Sequence, residues 1–242
     1  MTPGTLFGIG VGPGDPDLIP LKAVRILLNV DLVFTAASTK NDYSLAVDIA
    51  RPHLPENCVI EKLGFPMSKV RAMMETAWRQ HARRIAEVLE TGRSAAFLTL
   101  GDPLTYSTYS YILRHLKADW PHLAIQTVPG ITSYQAAAAA VNRPLVEGEE
   151  SLLIMSGVHG GERFQCLTEK PDNVVFLKAY RNVDGIRKAL EAADMLADSV
   201  AVSHCSRENE KIYTDLRSLT RQRPNYWTLI MAQKKGDGVA NE

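Results

Sequence analysis

A strand-length apolar stretch that stops at a Gly-Asp-Pro turn constrains the fold of this chain more than any other feature. Residues 95–100 read Ala-Ala-Phe-Leu-Thr-Leu, and the turn Gly101-Asp102-Pro103 follows them directly. Apolar side chains then recur at helical spacing over residues 109–116, so the stretch predicts a strand, a tight loop and a helix. Ligands bind at the carboxyl end of such a strand in a parallel sheet, because loop amides and a helix N-terminus converge there. An ordinary turn in which Asp102 caps the local backbone is the alternative.

A second glycine-dense loop follows a short apolar strand near the amino end. Residues 5–18 read Thr-Leu-Phe-Gly-Ile-Gly-Val-Gly-Pro-Gly-Asp-Pro-Asp-Leu and lead into a helical pattern. The dinucleotide-binding fingerprint needs a third glycine where Pro13 stands when the count begins at Gly8. The sequence also lacks the Gly-x-x-x-x-Gly-Lys-Ser/Thr pattern of a P-loop. Both of these phosphate-binding classes are therefore excluded as an explanation of the loop.

Composition bounds the class of protein. The 242 residues are 45% hydrophobic and 22% charged, which is enough apolar material for a large core. Lys+Arg and Asp+Glu both number 27, so no overall field attracts nucleic acid or an anionic membrane. No apolar run reaches the length of a membrane span, and we expect a cytoplasmic protein without membrane or nucleic-acid partners. Cys58, Cys166 and Cys205 lie far apart, so neither a disulfide framework nor a metal site is expected.

Strand-like and helix-like patterns alternate along the chain. Their order in the first half predicts a mostly parallel sheet with crossover helices. The apolar pattern is interrupted between Asn142 and Ser151, which predicts a domain over residues 1–145, a second over 146–233 and a flexible tail over 234–242. Besides the elements above, the predicted strands are 31–34, 58–60, 123–128, 152–155, 174–177, 199–203, 211–214 and 227–232, and the predicted helices are 44–50, 69–91, 132–141, 161–167 and 183–192.

Three motifs in this order resemble the S-adenosylmethionine-dependent tetrapyrrole methylases. They are Gly-x-Gly-x-Gly-Pro-Gly-Asp-Pro over residues 8–16, Gly-Asp-Pro-x-x-Tyr-Ser over 101–107, and Val-Pro-Gly-Ile-Thr-Ser over 128–133. Within that family, residues 63–68 and 98–108 most resemble the C20-methyltransferases that act on precorrin-2 or cobalt-factor II in cobalamin biosynthesis. The resemblance implies an α/β protein of two α/β domains with a ligand cleft between them. It also implies a homodimer that uses S-adenosyl-L-methionine and releases S-adenosyl-L-homocysteine.

The resemblance further implies which residues contact the methyl donor. For Thr132 or Ser133 in the first half, capping of the following helix is the alternative role. In the second half, the match to the family's donor contacts is weaker. Asp102 is also the candidate catalytic residue, as a proton relay at the acceptor, unless it only shapes its loop. The residues implied at the donor are Pro13, Leu100, Gly101, Asp102, Thr105, Tyr106, Thr132, Ser133, Leu177, Tyr226 and Thr228.

Methyl transfer from a sulfonium needs no protein nucleophile, because the donor already carries a good leaving group; the protein aligns the reactants and excludes water. The sequence has no Gly-x-Ser-x-Gly elbow and no recognisable histidine spacing. An acceptor rich in carboxylates requires cations around an apolar floor. For each candidate cation, a solvated surface charge is the alternative. Methylation of another tetrapyrrole carbon or another acceptor, and a non-catalytic nucleotide-binding module, are the rival functions. The candidate cations are Lys40, Arg143, Lys178, Arg181 and Arg207.

Overall fold

The computed structural model describes residues 2–38, 44–66, 70–221 and 224–234. Its contacts divide the chain into two compact units, Met1–Thr132 and Ser133–Glu242. Each unit has its own sheet and its own apolar core, which agrees with the α/β fold of two domains. The candidate cation at position 40, and the last two residues of the 63–68 motif, lie outside the described residues.

The first unit is an alternation of strands and helices around a five-stranded parallel sheet. Its strand order is β3-β2-β4-β1-β5, with every neighbouring pair parallel, and this confirms the predicted parallel sheet. The elements are β1 (Thr5–Gly10), α1 (Leu21–Leu27), β2 (Leu32–Ser38), α2 (Leu45–Ala50), β3 (Ile60–Phe65), α3 (Arg71–Glu90), β4 (Ala95–Thr99), α4 (Tyr109–Asp119) and β5 (Ala124–Val128).

Helices cover both faces of this sheet. On one face, α3 and α4 pack their apolar side chains, among them Leu89 and Ile112, against the strands. On the other face, α1 and α2 do the same with side chains such as Leu27 and Ile49. The loops that leave the neighbouring strands β1 and β4 therefore turn to opposite faces. A switch of this kind opens the end of a parallel sheet to a ligand.

The second unit has a mixed sheet of order β6-β7-β10-β8-β9. Only β6 and β7 pair in parallel, and the other pairs are antiparallel. Its core includes Phe164, Phe176 and Ile230. The elements are α5 (Ser133–Ala140), β6 (Leu152–Ser156), α6 (Glu162–Gln165), β7 (Asn173–Leu177), α7 (Val183–Glu191), β8 (Ser199–Ser203), β9 (Lys211–Tyr213), α8 (Leu216–Arg221) and β10 (Thr228–Gln233).

The division between the units falls before α5, whereas the sequence placed a boundary after residue 145. The segment after α5 is tied to the second unit by Arg143. Its Nε donates to Gln233 Oε1 at 2.7 Å, and its Nη2 donates to the Asp198 carbonyl at 2.6 Å. Burial lowers the pKa of the Arg143 guanidinium, against the opposing effect of nearby Asp198. Because two of its donors are engaged inside the second unit, the structure favours a structural role for Arg143.

Several other elements differ from their predicted bounds. The strand expected at 58–60 begins at Ile60 and continues to Phe65 as an edge strand. The helix α8 was not predicted, and α6 is a single short turn. From residue 235 onward, the predicted tail lies outside the described residues. Across the described ranges, no helix is both long and apolar enough to cross a lipid bilayer.

Candidate active site

Three loops of the first unit, which follow β1, β4 and β5, meet through backbone contacts. Gly101 N–H donates to the Gly12 carbonyl at 2.7 Å, and Gly12 N–H donates to the Gly101 carbonyl at 3.3 Å. A Cβ placed on Gly10 would lie 2.5 Å from Gly101 O and 2.6 Å from Gly130 N. The three loop backbones can approach this closely only because glycine occupies the positions where they cross. The sequence motifs therefore encode one compact loop junction.

Asp102 ties two of these loops together through its carboxylate. Oδ1 accepts from the Leu104 backbone N–H at 2.9 Å and from the Thr105 hydroxyl at 3.2 Å. Oδ2 accepts from the Gly130 N–H, on the loop after β5, at 3.2 Å. A carboxylate with three donors inside the protein is a strong positioning group. This geometry favours loop shaping over proton transfer as the role of Asp102.

Apolar side chains are exposed beside this junction. Leu100, Leu104 and Tyr106 are 36%, 57% and 52% exposed, and Tyr106 has a positive φ of 51°. A left-handed backbone at a bulky residue carries strain and is enriched at functional loops. Loop amides flanked by exposed apolar side chains suit a ligand that has both a polar tail and apolar parts.

Gly101 marks an open cradle in the junction. A Cβ built on it would approach nothing closer than 3.9 Å, at Ile131 O, and its φ is +68°. Pro13 and Thr132 are buried beside the loops that form the junction, and Ser133 begins α5 as the first residue of the second unit. The Gly101 position therefore leaves open space beside the backbone of the loop. The Gly101 N–H already donates a hydrogen bond to the Gly12 carbonyl. Gly101 therefore offers a ligand open space and not a free N–H group.

In the second unit, one end of the sheet gathers the remaining predicted residues. The carboxyl ends of β7 and β8 lie there beside the amino end of β10, because Thr228 pairs with Ser203. Leu177 is the last residue of β7 and is buried. The Thr228 hydroxyl is buried and lies 2.7 Å from the Ser203 hydroxyl. The Thr228 side chain is therefore engaged inside the unit, whereas Tyr226 is 45% exposed.

Aromatic rings and cations crowd the same end of this sheet, and we call them the aromatic cluster. Tyr226 lies edge-on to Tyr180 at 5.6 Å and to Trp227 at 6.3 Å between ring centroids. A cation stands over each of these rings, at 5.2 to 5.4 Å from the centroid. The members of the cluster are Lys178, Tyr180, Arg181, His204, Arg207, Tyr226 and Trp227.

His204 is the polar centre of the cluster. Its Nδ1 lies 3.0 Å from Arg207 Nη1, and its Nε2 faces the side-chain amide of Asn225. Burial lowers the pKa of the His204 imidazole, and the charges of Arg207 and Lys211 lower it further. Because an arginine only donates hydrogen bonds, Nδ1 is the acceptor in the contact with Arg207.

The structure thus groups the predicted residues of each half, and adds some that sequence reasoning missed. His204, Asn225 and Tyr180 were not predicted as site residues, since they stand in polar loops without a motif. A strand followed directly by His204, in a loop that also carries Arg207, is the one signal that the sequence offered.

Comparison with known proteins shows the family to which this chain is similar. A family model described as Tetrapyrrole (Corrin/Porphyrin) Methylases matches residues 5–220. The cobalt-precorrin-2 C(20)-methyltransferase of Salmonella typhimurium is 30% identical over 234 residues, which are 96% of this chain and 97% of that protein. The precorrin-2 C(20)-methyltransferase of a Sinorhizobium species is 27% identical over 235 residues, 94% of either chain.

A solved structure shows the same fold. The uroporphyrin-III C-methyltransferase of Thermus thermophilus, complexed with S-adenosylhomocysteine, has a TM-score of 0.65 at 20% sequence identity. The match covers 95% of this chain and 97% of that one. The likeness therefore extends over both units of the chain.

Proposed function

This chain belongs to the tetrapyrrole methylase family, and from this premise we propose that it transfers the methyl group of S-adenosyl-L-methionine to carbon C20 of precorrin-2 or cobalt-factor II in cobalamin biosynthesis. The observation that carries the proposal is the near full-length match, at 30% identity, to a relative named for C20 methylation of cobalt-precorrin-2. The complete set of glycine loops, joined in one junction, supports an active rather than a degenerate member.

For the donor, we propose contacts from residues of both units. The open cradle at Gly101 and the exposed apolar residues beside it support the first-unit part of the set. In the second unit, Thr228 would contribute through its backbone, because its hydroxyl is already bonded. The proposed donor residues are Pro13, Leu100, Gly101, Asp102, Thr105, Tyr106, Thr132, Ser133, Leu177, Tyr226 and Thr228.

Methyl transfer requires the protein to align the acceptor with the donor, and it does not require a protein nucleophile. When bound, the donor supplies an electrophilic methyl group with its own leaving group. The chain's part is to hold the acceptor carbon in line with that methyl group and to exclude water, which is an entropic contribution. Methylation of a ring carbon that bears hydrogen also releases a proton. The three hydrogen bonds to the Asp102 carboxylate support a positioning role for it, and transfer of this proton by Asp102 is the alternative that substitution tests.

The test is mass spectrometry of the acceptor after incubation with methyl-labelled donor. Precorrin-2, cobalt-factor II and uroporphyrinogen are supplied separately, and the methylated carbon is identified by nuclear magnetic resonance. We expect one labelled methyl group at C20 of precorrin-2 or cobalt-factor II. The ratio of kcat/KM for the two acceptors identifies the natural one. A methyl group on another carbon, or on uroporphyrinogen alone, would replace the proposal with the rival methylase function.

We also propose that the working enzyme is a homodimer. This rests on the family resemblance and on the prevalence of two-fold symmetry among oligomers of identical chains. Light scattering at micromolar concentration measures the mass directly. The mass of one chain of 26.7 kDa would refute the dimer.

A further inference from the structure

Arg207 has no acidic partner among the described residues, in contrast to Arg187 of the same unit. Arg187 pairs with Asp184 and Glu191 at 3.1 and 2.9 Å, which neutralises it. No carboxylate in the described part of the chain comes within ion-pair distance of Arg207. Its guanidinium instead lies over the Trp227 ring, 5.2 Å from the centroid. The protein therefore holds a cation in place without supplying its counter-ion.

The guanidinium is held by two independent contacts. One is the stacking on Trp227, and the other is the hydrogen bond that Nη1 donates to His204 Nδ1 at 3.0 Å. Lys178 and Arg181 also stand over rings, but neither has a side-chain hydrogen bond of this kind among the described residues. An arginine whose position is fixed in advance loses less conformational entropy when it binds an anion.

The contacts behind His204 fix its ring in turn. Its backbone N–H donates to the Trp227 carbonyl at 3.2 Å, and its φ of 54° is left-handed. Asn225 faces Nε2 of the ring, and Asn225 Oδ1 accepts from the Trp227 backbone N–H at 2.8 Å. A strained backbone that is held by this many contacts is a feature of functional loops. His204, Asn225 and Trp227 thus form a support with Arg207 at its outer edge.

We infer that Arg207 binds a carboxylate of the tetrapyrrole acceptor, and that His204 is a positioning residue which holds the guanidinium for it. The planar guanidinium, with donors left after the His204 bond, matches a carboxylate in bidentate geometry. Tyr226 and Trp227, which are 45% and 36% exposed, supply apolar surface beside the cation. This suits a ligand with an apolar ring and acidic side groups. The inference rests on the proposed function, which supplies the acceptor.

The same carboxylate chemistry is present on the amino-acid part of the methyl donor, so the experiment uses one probe for each source. S-adenosylhomocysteine is titrated by calorimetry as the donor probe. Uroporphyrin, a stable tetrapyrrole with free carboxylates, is titrated by fluorescence beside its fully esterified form as the acceptor probe. These binding measurements need no turnover, so they remain informative even if the C20 activity itself is not found.

The variants are Arg207→Gln, Arg207→Lys and His204→Gln, with Arg187→Gln as a control that removes a paired cation of the same unit. We expect Arg207→Gln to weaken uroporphyrin binding about tenfold, and Arg207→Lys to weaken it less. The esterified porphyrin and S-adenosylhomocysteine bind all variants alike. In turnover, the acceptor KM rises by a similar factor while kcat changes little. Arg187→Gln behaves as the unchanged protein.

His204 is tested by a double-mutant cycle. His204→Ala weakens uroporphyrin binding in the presence of Arg207, and has no further effect once Arg207 is glutamine. His204→Gln, which keeps a hydrogen-bond acceptor, restores part of the binding. Circular dichroism confirms that each variant is folded. Equal uroporphyrin affinity in Arg207→Gln and the unchanged protein would overturn the inference, as would additive effects in the cycle, and selective loss of S-adenosylhomocysteine binding would assign Arg207 to the donor instead.

Discussion

The candidate residues of the two units stand in different kinds of structure. In the first unit, backbone groups and glycines form the junction, and one carboxylate, that of Asp102, locks it. In the second unit, one end of the sheet is built from side chains, namely aromatic rings and cations around His204. A backbone junction has almost no room to vary, whereas a surface of side chains can be changed one residue at a time. The loop junction is therefore the more constrained of the two regions, and the aromatic cluster is the more tolerant of substitution.

The largest effect in this comparison is expected from Gly10→Ala. The added Cβ would lie 2.5 Å from Gly101 O and 2.6 Å from Gly130 N, so the junction must open. We expect a loss of about 3 kcal/mol in unfolding free energy, measured by urea denaturation. The control is Gly148→Ala, whose Cβ would meet nothing within 4 Å. If Gly10→Ala were as stable as Gly148→Ala, the junction would not be the rigid part of the molecule.

Asp102→Asn tests the lock within the junction. The asparagine oxygen still accepts from Leu104 and Thr105, but its amide turns a donor toward the Gly130 N–H, which loses its acceptor. We expect about 2 kcal/mol less stability and weaker binding of S-adenosylhomocysteine, with kcat at saturating donor within about threefold of normal. Single-turnover methylation and calorimetry on one preparation give both numbers. A drop in kcat beyond about tenfold with unchanged donor affinity would instead make Asp102 a proton-transfer residue.

Gly101→Ala separates occupied space from backbone strain. Gly101 and Gly148 both have positive φ, +68° and +51°, and a Cβ on either has room in the protein alone. Both alanine variants therefore carry similar strain, but only the first fills the proposed donor cradle. We expect S-adenosylhomocysteine affinity to fall about tenfold or more in Gly101→Ala and to stay normal in Gly148→Ala, with one site per chain in the calorimetric titration. Normal binding by both variants would move the donor away from this loop.

The smallest effect concerns pH and the second unit. The pKa of folded His204 is lowered from its ordinary 6.5 by burial and by Arg207 and Lys211. As the pH falls below about 6.5, the unfolded chain takes up a proton that the folded chain resists, so stability declines until the folded pKa is passed. Replacing His204 with glutamine should remove this part of the pH dependence. Urea midpoints over a pH series measure it, and identical profiles for the two proteins would show that His204 does not titrate in this way.

The sequence predicted the backbone junction better than the side-chain cluster, and the reason is physical. Close approach at Gly10 and Gly130 admits only glycine, so the constraint is visible as a motif. The bond between Arg207 and His204, and the contact of His204 with Asn225, depend on loop conformations that no local pattern records. The same limit applies to Arg143, whose partner Gln233 lies 90 positions away in the chain.

The prediction of β3 failed because this edge strand is only partly buried, so its apolar pattern is weak. The apolar run before Ile60 suggested a strand, but the ladder with β2 continues from there to Phe65 through polar residues. One of them, Glu61, forms a bidentate ion pair with Arg84 of α3, with both distances 2.8 Å. Strand propensity measures how well a residue fits a half-buried surface rather than the backbone itself. The antiparallel direction of β10 likewise leaves no mark in its apolar sequence.

The pairing of β1 has a consequence for how the protein comes to be made. This strand is synthesised before β2 to β5, yet within the described residues its sheet partners are β4 and β5, the latter ending at Val128. Its glycine loop cannot take its final form until most of the first unit has been synthesised. Pairing between such distant segments is slow, and an unpaired apolar strand is open to association with other chains meanwhile. The assembly of the loop junction is thus among the last events in the folding of the first unit, and a protein truncated before β5 should lack the junction altogether.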